Sequence, residues 1–239
     1  MHSQILIYPA DRVFVLTGAG VSAESGLATF RASDGLWAGY RLEDVCTPDA
    51  WERDPWKVWE FYSARRRAAF AAKPNAAHRA LGELEKRLGE RFFLCTQNVD
   101  ELHELGGSFN LVHMHGELAK ARCEAACGAE PVDDRRIYES LHEVGHCRCG
   151  ARLRPHIVFF GETPLELSRI QDEINRATVM VVIGTSGSVY PAANFVQWAR
   201  LNKARTIYIG PEAPLNAGAF SITVEGKAGE VLPGLFRVE

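Results

Sequence analysis

Neither sign of charge is in marked excess in this sequence: 27 Lys and Arg stand against 30 Asp and Glu over 239 residues, a net charge of −3. That balance gives no electrostatic case for nucleic acid or an anionic membrane surface, and the run Arg65-Arg66-Arg67 is too short to reverse it. Long apolar runs are also missing, so no stretch approaches the length of a membrane span. The start, Met1 to Ile7, has neither the basic opening nor the extended apolar segment of a secretory signal. A soluble, cytoplasmic protein is therefore expected. There is no internal repeat, low-complexity tract or long flexible linker. Cysteine is limited to six residues, of which Cys46 and Cys95 are isolated and four cluster, a pattern closer to metal ligation than to a disulfide framework.

What is present begins with glycine. Gly18-Ala19-Gly20-Val21-Ser22-Ala23-Glu24-Ser25-Gly26 follows the apolar run Val13 to Leu16 and reads as strand, glycine turn and helix start. Backbone N–H groups and a helix dipole aimed at one spot suit a pyrophosphate. The spacing G-x-G-x-x-x-x-x-G departs from the G-x-G-x-x-G of dehydrogenases, and no acidic residue follows on an obvious ribose-binding strand. A tight turn that needs glycine for positive φ is the competing explanation.

Val13 to Leu16, Phe92 to Cys95, Ile157 to Phe160, Val179 to Ile183 and Ile207 to Ile209 read as buried strands of a parallel sheet, because their apolar runs are nearly continuous. Between them, Asn75 can cap a helix with Ala77, Leu81, Leu84 and Leu88 on one side, and Leu167, Ile170, Ile174 and Ala177 mark a second stripe. The alternation implies a doubly wound α/β core. Polar clusters at 18–22, 96–100 and 184–187 fall just beyond strands, where such sheets bind ligands. Two segments break the alternation: a largely helical 35–91, rich in aromatics from Trp51 to Tyr62, and a charged, core-poor 119–154.

That second segment holds Cys123 and Cys127, four apart, and Cys147 and Cys149, two apart, with 19 residues between the pairs. Four thiolates so arranged are the expected ligands of a structural zinc. His146 could replace one of them. His113 and His115, two apart, would share one face of a strand, which suits a metal pair; His115 beside a cofactor pocket is equally a candidate general base. Asn98 and Asp100 can donate to and accept from a carboxamide such as that of nicotinamide, and Glu24, Arg31 and Gln97 can hold ribose or phosphate.

GAGVSAESGLATFR at 18–31, TQNVDELH at 96–103, HMHGEL at 113–118, FGE at 160–162 and GTS at 184–186 together resemble the sirtuin family. The resemblance runs from Val13 to about Leu232 and is strongest to bacterial CobB-type members, through Arg154-Pro155-His156 and Val189-Tyr190-Pro191-Ala192-Ala193. It implies a Rossmann-like domain (1–34, 92–118 and 155–239), a helical module with cofactor loop and acyl pocket (35–91) and a zinc-binding module (119–154). It further implies NAD-dependent removal of acyl groups from protein lysines. In that chemistry the acyl oxygen attacks the ribose carbon as nicotinamide leaves, His115 activates a ribose hydroxyl, and O-acyl-ADP-ribose is released.

By resemblance, Gly18, Ala19 and Gly20 approach the phosphates, with Ala23, Glu24, Thr29 and Trp37 also on the NAD site. Phe30 and Arg31 lie on a mobile cofactor loop. Gln97 and Asn98 contact ribose, Asp100 reads the carboxamide with Val99 beside it, and Gly184, Thr185, Ser186, Gly210, Pro211, Glu212 and Ala228 serve the adenosine side. Phe160, Gly161 and Glu162 pair with substrate peptide as an added strand. Acylated lysines of proteins are the expected partners, without nucleic acid or membrane, and a monomer is favoured.

Tyr62 and Arg65 lie three apart, on one face of a helix. Spacing alone favours a packing tyrosine and a surface arginine. The resemblance reverses this, since Y-x-x-R resembles the carboxylate clamp of class III sirtuins, which remove succinyl, malonyl or glutaryl groups. Desuccinylation with retained deacetylation is expected. Departures are Ala28 in place of a proline, Gly210 where many sirtuins have asparagine, and the cysteine spacings. The rival readings are a plain deacetylase, an NAD hydrolase or ADP-ribosyltransferase, a zinc-bearing NAD sensor, and, least favoured, an oxidoreductase.

Overall fold

The computed structural model describes residues 4–29, 36–37, 39–187, 189–214 and 216–239, with the backbone alone at 36–37. The strands that position the site are β1 (Val13–Thr17), β2 (Phe92–Thr96), β3 (Leu111–His113), β4 (Gly116–Cys123), β5 (Leu153–Ile157), β6 (Val179–Ile183), β7 (Arg205–Gly210) and β8 (Ile222–Glu225). The longer helices are α1 (Pro55–Ala71), α2 (Ala76–Leu88), α3 (Leu167–Arg176) and α4 (Ala192–Leu201).

Six strands form one parallel sheet in the order β8-β7-β6-β1-β2-β3. The chain winds outward in opposite directions from β1 and from β6, so the switch point, where α/β sheets open a ligand crevice, lies between those two strands. Every residue of β1, β2 and β6 is buried, as the unbroken apolar runs require of strands covered on both faces.

Alternate side chains point to opposite faces. Val13, Val15, Leu94, Val181 and Ile183 pack with Ala77, Leu81, Leu84 and Leu88 of α2 on one face. Phe14, Leu16, Phe93, Met180 and Val182 meet Ile170 and Ile174 of α3 and Phe195, Val196 and Ala199 of α4 on the other. Cutting Leu81, 1% exposed, back to alanine would cost about 2–5 kcal/mol. Asn75 caps α2 as its sequence position suggests, its side chain accepting from the Ala77 N–H at 2.9 Å.

The stretch 157–160 departs from the sequence reading. Its strand is Leu153–Ile157, antiparallel to β4 in a separate three-stranded sheet. Residues beyond 157 leave the ladder, and Phe159, 1% exposed, is apolar because it enters a third core with Trp59, Phe61 and Tyr62. The short strands β3 and β8 complete the parallel sheet without long apolar runs to announce them. Arg66, fully buried, fastens α1 to β4: Nε donates to the Leu118 carbonyl at 2.7 Å, Nη2 to Lys120 at 3.1 Å and Nη1 to Arg136 at 2.7 Å, over the Trp59 ring. Among the described residues no helix is long and apolar enough to cross a membrane.

Candidate functional site

A cavity of about 940 Å³ opens at the carboxyl ends of β1, β2 and β6 and runs beneath α1. Its wall takes residues from all three polar clusters, Gly18 to Ser22, Gln97 to Asp100 and Gly184 to Ser186.

The glycine segment is built differently from the expected helix start. Ala19–Val21 and Ala23–Ser25 are separate single turns of 3-10 helix, so little dipole accumulates there. The N–H groups of Gly18, Gly20, Val21 and Ser22 are spent on the carbonyls of Ile183, Gly184, Gly18 and Ala19 at 2.8–3.1 Å, which leaves no open row of donors. Nor is positive φ the reason for glycine at 18, where φ is −127°. Space is the reason: a Cβ on Gly20 would lie 2.7 Å from Gly184 Cα, and one on Gly18 would lie 2.9 Å from the Gly184 oxygen. Missing side chains therefore shape a slot across the switch point, and a dinucleotide fits the volume and the polar lining.

Behind the slot lies a buried polar network. The Asn75 N–H donates to His78 Nδ1 at 3.2 Å, which leaves Nε2–H to donate to Ser22 Oγ at 3.4 Å; Ser22 donates in turn to Asp100 Oδ2 at 3.2 Å. Asn98 Nδ2 also donates to Ser22 Oγ, at 3.0 Å. Burial pushes the Asp100 carboxyl up, offset in part by hydrogen bonds from the Leu102 N–H and Ser22. Burial with the charge of Arg79 lowers His78 to about 4, so it is neutral. A second chain runs from His103 Nε2 to Thr17 Oγ1 (2.9 Å) and on to Thr96 Oγ1 (2.8 Å), which accepts from the Asn98 N–H at 3.0 Å. Thr17 and His78 escaped the sequence reading, since nothing in the spacing links them; Ser22 was named only as the end of the glycine cluster and His103 only as the end of the 96–103 motif.

The two histidines separate. His113 ends β3, whereas His115 sits in the turn before β4, so strand periodicity does not join them as a metal pair. His113 gives both ring nitrogens to acceptors, the Asn98 carbonyl at 2.8 Å and Glu104 Oε1 at 2.7 Å. Burial lowers its pKa, but those bonds outweigh burial and raise it overall. His115 lines the cavity with Nδ1 3.1 Å from the Gln97 carbonyl. Since a carbonyl only accepts, Nδ1 carries the proton and Nε2 the lone pair. Burial lowers its pKa and the Gln97 bond recovers only part.

Tyr62 and Arg65 line the same cavity from α1. Tyr62 is 1% exposed and its hydroxyl donates to Cys46 Sγ at 3.5 Å. The Arg65 guanidinium lies 5.8 Å from the Tyr62 ring centre, and burial lowers its pKa. Phe160, Gly161 and Glu162 are on the wall too, but as a turn: the Glu162 N–H donates to the Phe159 carbonyl at 3.0 Å with Gly161 at φ +92°, and the Phe160 N–H donates to Cys46 O at 2.8 Å. An extended edge ready to take an added strand is therefore not what these residues form. The Glu162 carboxylate is held by Arg154 at 2.8 and 2.9 Å, Arg122 at 2.8 Å and the Phe159 N–H at 2.7 Å.

Thr29, Val99, Pro211 and Glu212 also reach the lining, while Ala23, Glu24, Gly210 and Ala228 stand outside it. Glu24 instead accepts from the Gly229 N–H at 2.7 Å, at the start of the short helix Ala228–Val231. At Gly210 a Cβ would run into the Tyr208 hydroxyl, so tyrosine fills the room an asparagine side chain would need. Phe30, Arg31 and the Trp37 side chain lie outside the described residues.

Away from the cavity, the sulfurs of Cys123, Cys127, Cys147 and Cys149 all lie within 4.8 Å of one another, with Cys123–Cys149 at 3.5 Å and Cys127–Cys147 at 3.6 Å. A tetrahedral zinc with about 2.3 Å bonds sets its sulfurs about 3.8 Å apart, so the four fit that ion as a closed shell. His146 stands outside this cluster. Burial raises the Cys123 thiol, but N–H groups of Cys127 and Ala125 and the neighbouring sulfurs prevail and bring it to about 7.

The Sir2 family model matches residues 18–191. An NAD-dependent protein deacylase of Vibrio cholerae serotype O1 is 50% identical over 230 residues, spanning 95% of this chain and 92% of its own. The enzyme of that name from Escherichia coli K12 is 47% identical over 224 residues, 93% of this chain and 80% of its own. Among solved structures, a Sir2 homolog–NAD complex superposes with a TM-score of 0.85 at 41% identity, covering 94% of this chain and 88% of that one. A Sir2–p53 peptide–NAD+ structure does so with 0.79 at 26% identity, covering 92% and 90%. With the matched segment containing the glycine slot, the Asn98 network and His115, this chain belongs to the Sir2 family.

Proposed function

We propose that this cavity removes short acyl groups ending in a carboxylate, succinyl first, from lysine side chains of proteins, with acetyl also accepted. The coarser activity, NAD-dependent protein deacylation, is that of relatives about half identical over most of the chain, and NAD and one structural zinc belong with it. When bound, NAD supplies a ribose carbon from which nicotinamide departs. His115, neutral and with Nδ1 tied to Gln97, takes a proton from a ribose hydroxyl at Nε2. Asp100 addresses the carboxamide, Gln97 and Asn98, the latter fixed by Ser22 and Thr96, the ribose, and Gly184, Thr185, Ser186 and Glu212 the adenosine side. We take 35–91 and 119–154 as modules attached to the nucleotide-binding remainder.

The observation that carries the acyl reading is that Tyr62 and Arg65, one turn apart on α1, share a cavity with His115. A guanidinium fork offers a carboxylate two charge-assisted bonds and a phenol can add a third. The test follows nicotinamide release from NAD with no peptide, with acetyl-lysine peptide and with succinyl-lysine peptide. Release that requires peptide, with kcat/KM about tenfold higher for succinyl, a factor worth 1.36 kcal/mol, is expected. Release with acetyl-lysine peptide alone would leave a plain deacetylase, equal rates a deacylase without the carboxylate preference, and release without peptide an NAD hydrolase.

A further inference from the structure

Cys46 is absent from every role above, although it lies in the cavity wall beside Tyr62. It follows the one-turn helix Leu42–Val45 and is held from two sides: its N–H donates to the Leu42 carbonyl at 2.8 Å, and its carbonyl accepts from the Phe160 N–H at 2.8 Å. At 2% exposure it has little freedom, and its sulfur takes the Tyr62 hydroxyl proton in a hydrogen bond of 3.5 Å. Burial pushes both groups up, the thiol against the opposing effects of the Tyr62 bond and the Arg65 charge, so both are neutral at physiological pH.

A phenol has one proton to donate. While it is on sulfur, it is not on an acyl carboxylate. We propose that Cys46 sets the acyl selectivity of this cavity: its sulfur holds the Tyr62 hydroxyl when the acyl group has no acceptor and releases it when a carboxylate arrives. The proposal rests on the clamp reading of Tyr62 and Arg65. An acetyl group ends in a methyl, so the sulfur is what keeps a buried donor satisfied while acetyl is bound, and an unmet donor there would be costly. A succinyl group brings a charged acceptor, far stronger than a thiol sulfur, and the hydroxyl rotates to it. A weak acceptor at this position thus admits both substrates. A stronger one would retain the proton, and none would penalise acetyl.

The test is the ratio of succinyl to acetyl kcat/KM for Cys46→Ala, Cys46→Val and Cys46→Ser, each made with Tyr62 intact and with Tyr62→Phe. Alanine and valine are expected to raise the ratio about three- to tenfold, chiefly through a higher acetyl KM, and serine to lower it by a similar factor, the span of a net hydrogen bond. With Tyr62→Phe the ratio should no longer depend on residue 46. A loss of packing alone would move all three variants in one direction, and that result, or a shift that persists with Tyr62→Phe, overturns the proposal. Should serine fail to fold, alanine and valine in the two backgrounds still decide it. If Tyr62→Phe alone leaves the ratio unchanged, the clamp reading itself fails, and the role of Cys46 with it.

Discussion

His115 hangs from the backbone carbonyl of Gln97, 3.1 Å from its Nδ1, and the Gln97 N–H is itself anchored on the Thr17 carbonyl of β1 at 2.9 Å. The sheet thereby dictates which ring nitrogen is free to take a proton. His115→Ala should lower kcat about 10²–10⁴-fold, the usual worth of a general base. The group works only when neutral, and burial lowers its pKa. Activity should therefore hold at pH 7 and fall only as pH drops below about 6.5, the ordinary histidine value. A pH profile of kcat/KM whose acid limb lies above 7 would contradict this.

Replacing Tyr62 by Phe and Arg65 by Met should depress succinyl-lysine turnover at least about tenfold more than acetyl-lysine turnover, since charge-assisted hydrogen bonds are the strong ones. Steady-state kinetics on matched peptides checks this. Equal losses on both substrates would remove the clamp.

Gly20→Ala should strike NAD affinity before anything else. Its Cβ would fall 2.7 Å from Gly184 Cα, backbone against backbone, so β1 and β6 must part where the slot lies. Binding measured by calorimetry should weaken by about tenfold or more, which is 1.36 kcal/mol. Unchanged affinity would mean that the slot does not hold the dinucleotide.

One zinc per chain should be found by metal analysis, and Cys147→Ser should lose it. Chain segment 119–154 has few large apolar residues with which to replace the ion. A loss of about 3 kcal/mol would lower Tm by about 6–12 °C in a chain of this size. Full thermal stability in a zinc-free protein would refute the assignment.

The central sheet was legible because β1, β2 and β6 are buried on both faces and so carry unbroken apolar runs. The three polar clusters could be placed because the ligand crevice of such a sheet lies at strand ends. What the sequence hid was hydrogen bonding between distant residues. Ile157 to Phe160 has the apolarity of a strand but leaves the ladder after Ile157, because burial can come from side-chain packing alone. Arg66 lies in a basic run that looks solvated, although its side chain is fully buried and spends its N–H groups on the carbonyls of Leu118, Lys120 and Arg136. The glycines pointed to a phosphate cradle, yet close backbone approach, not a row of free N–H groups, is why they are there.

The most direct measurement of the central claim is mass spectrometry of the products formed from NAD and a succinyl-lysine peptide. Free lysine peptide, nicotinamide and O-succinyl-ADP-ribose are expected in equal amounts, with turnover to free lysine peptide and O-succinyl-ADP-ribose falling about 10²–10⁴-fold with His115→Ala. Peptide left fully acylated while NAD is consumed, or succinate released with NAD intact, would contradict it.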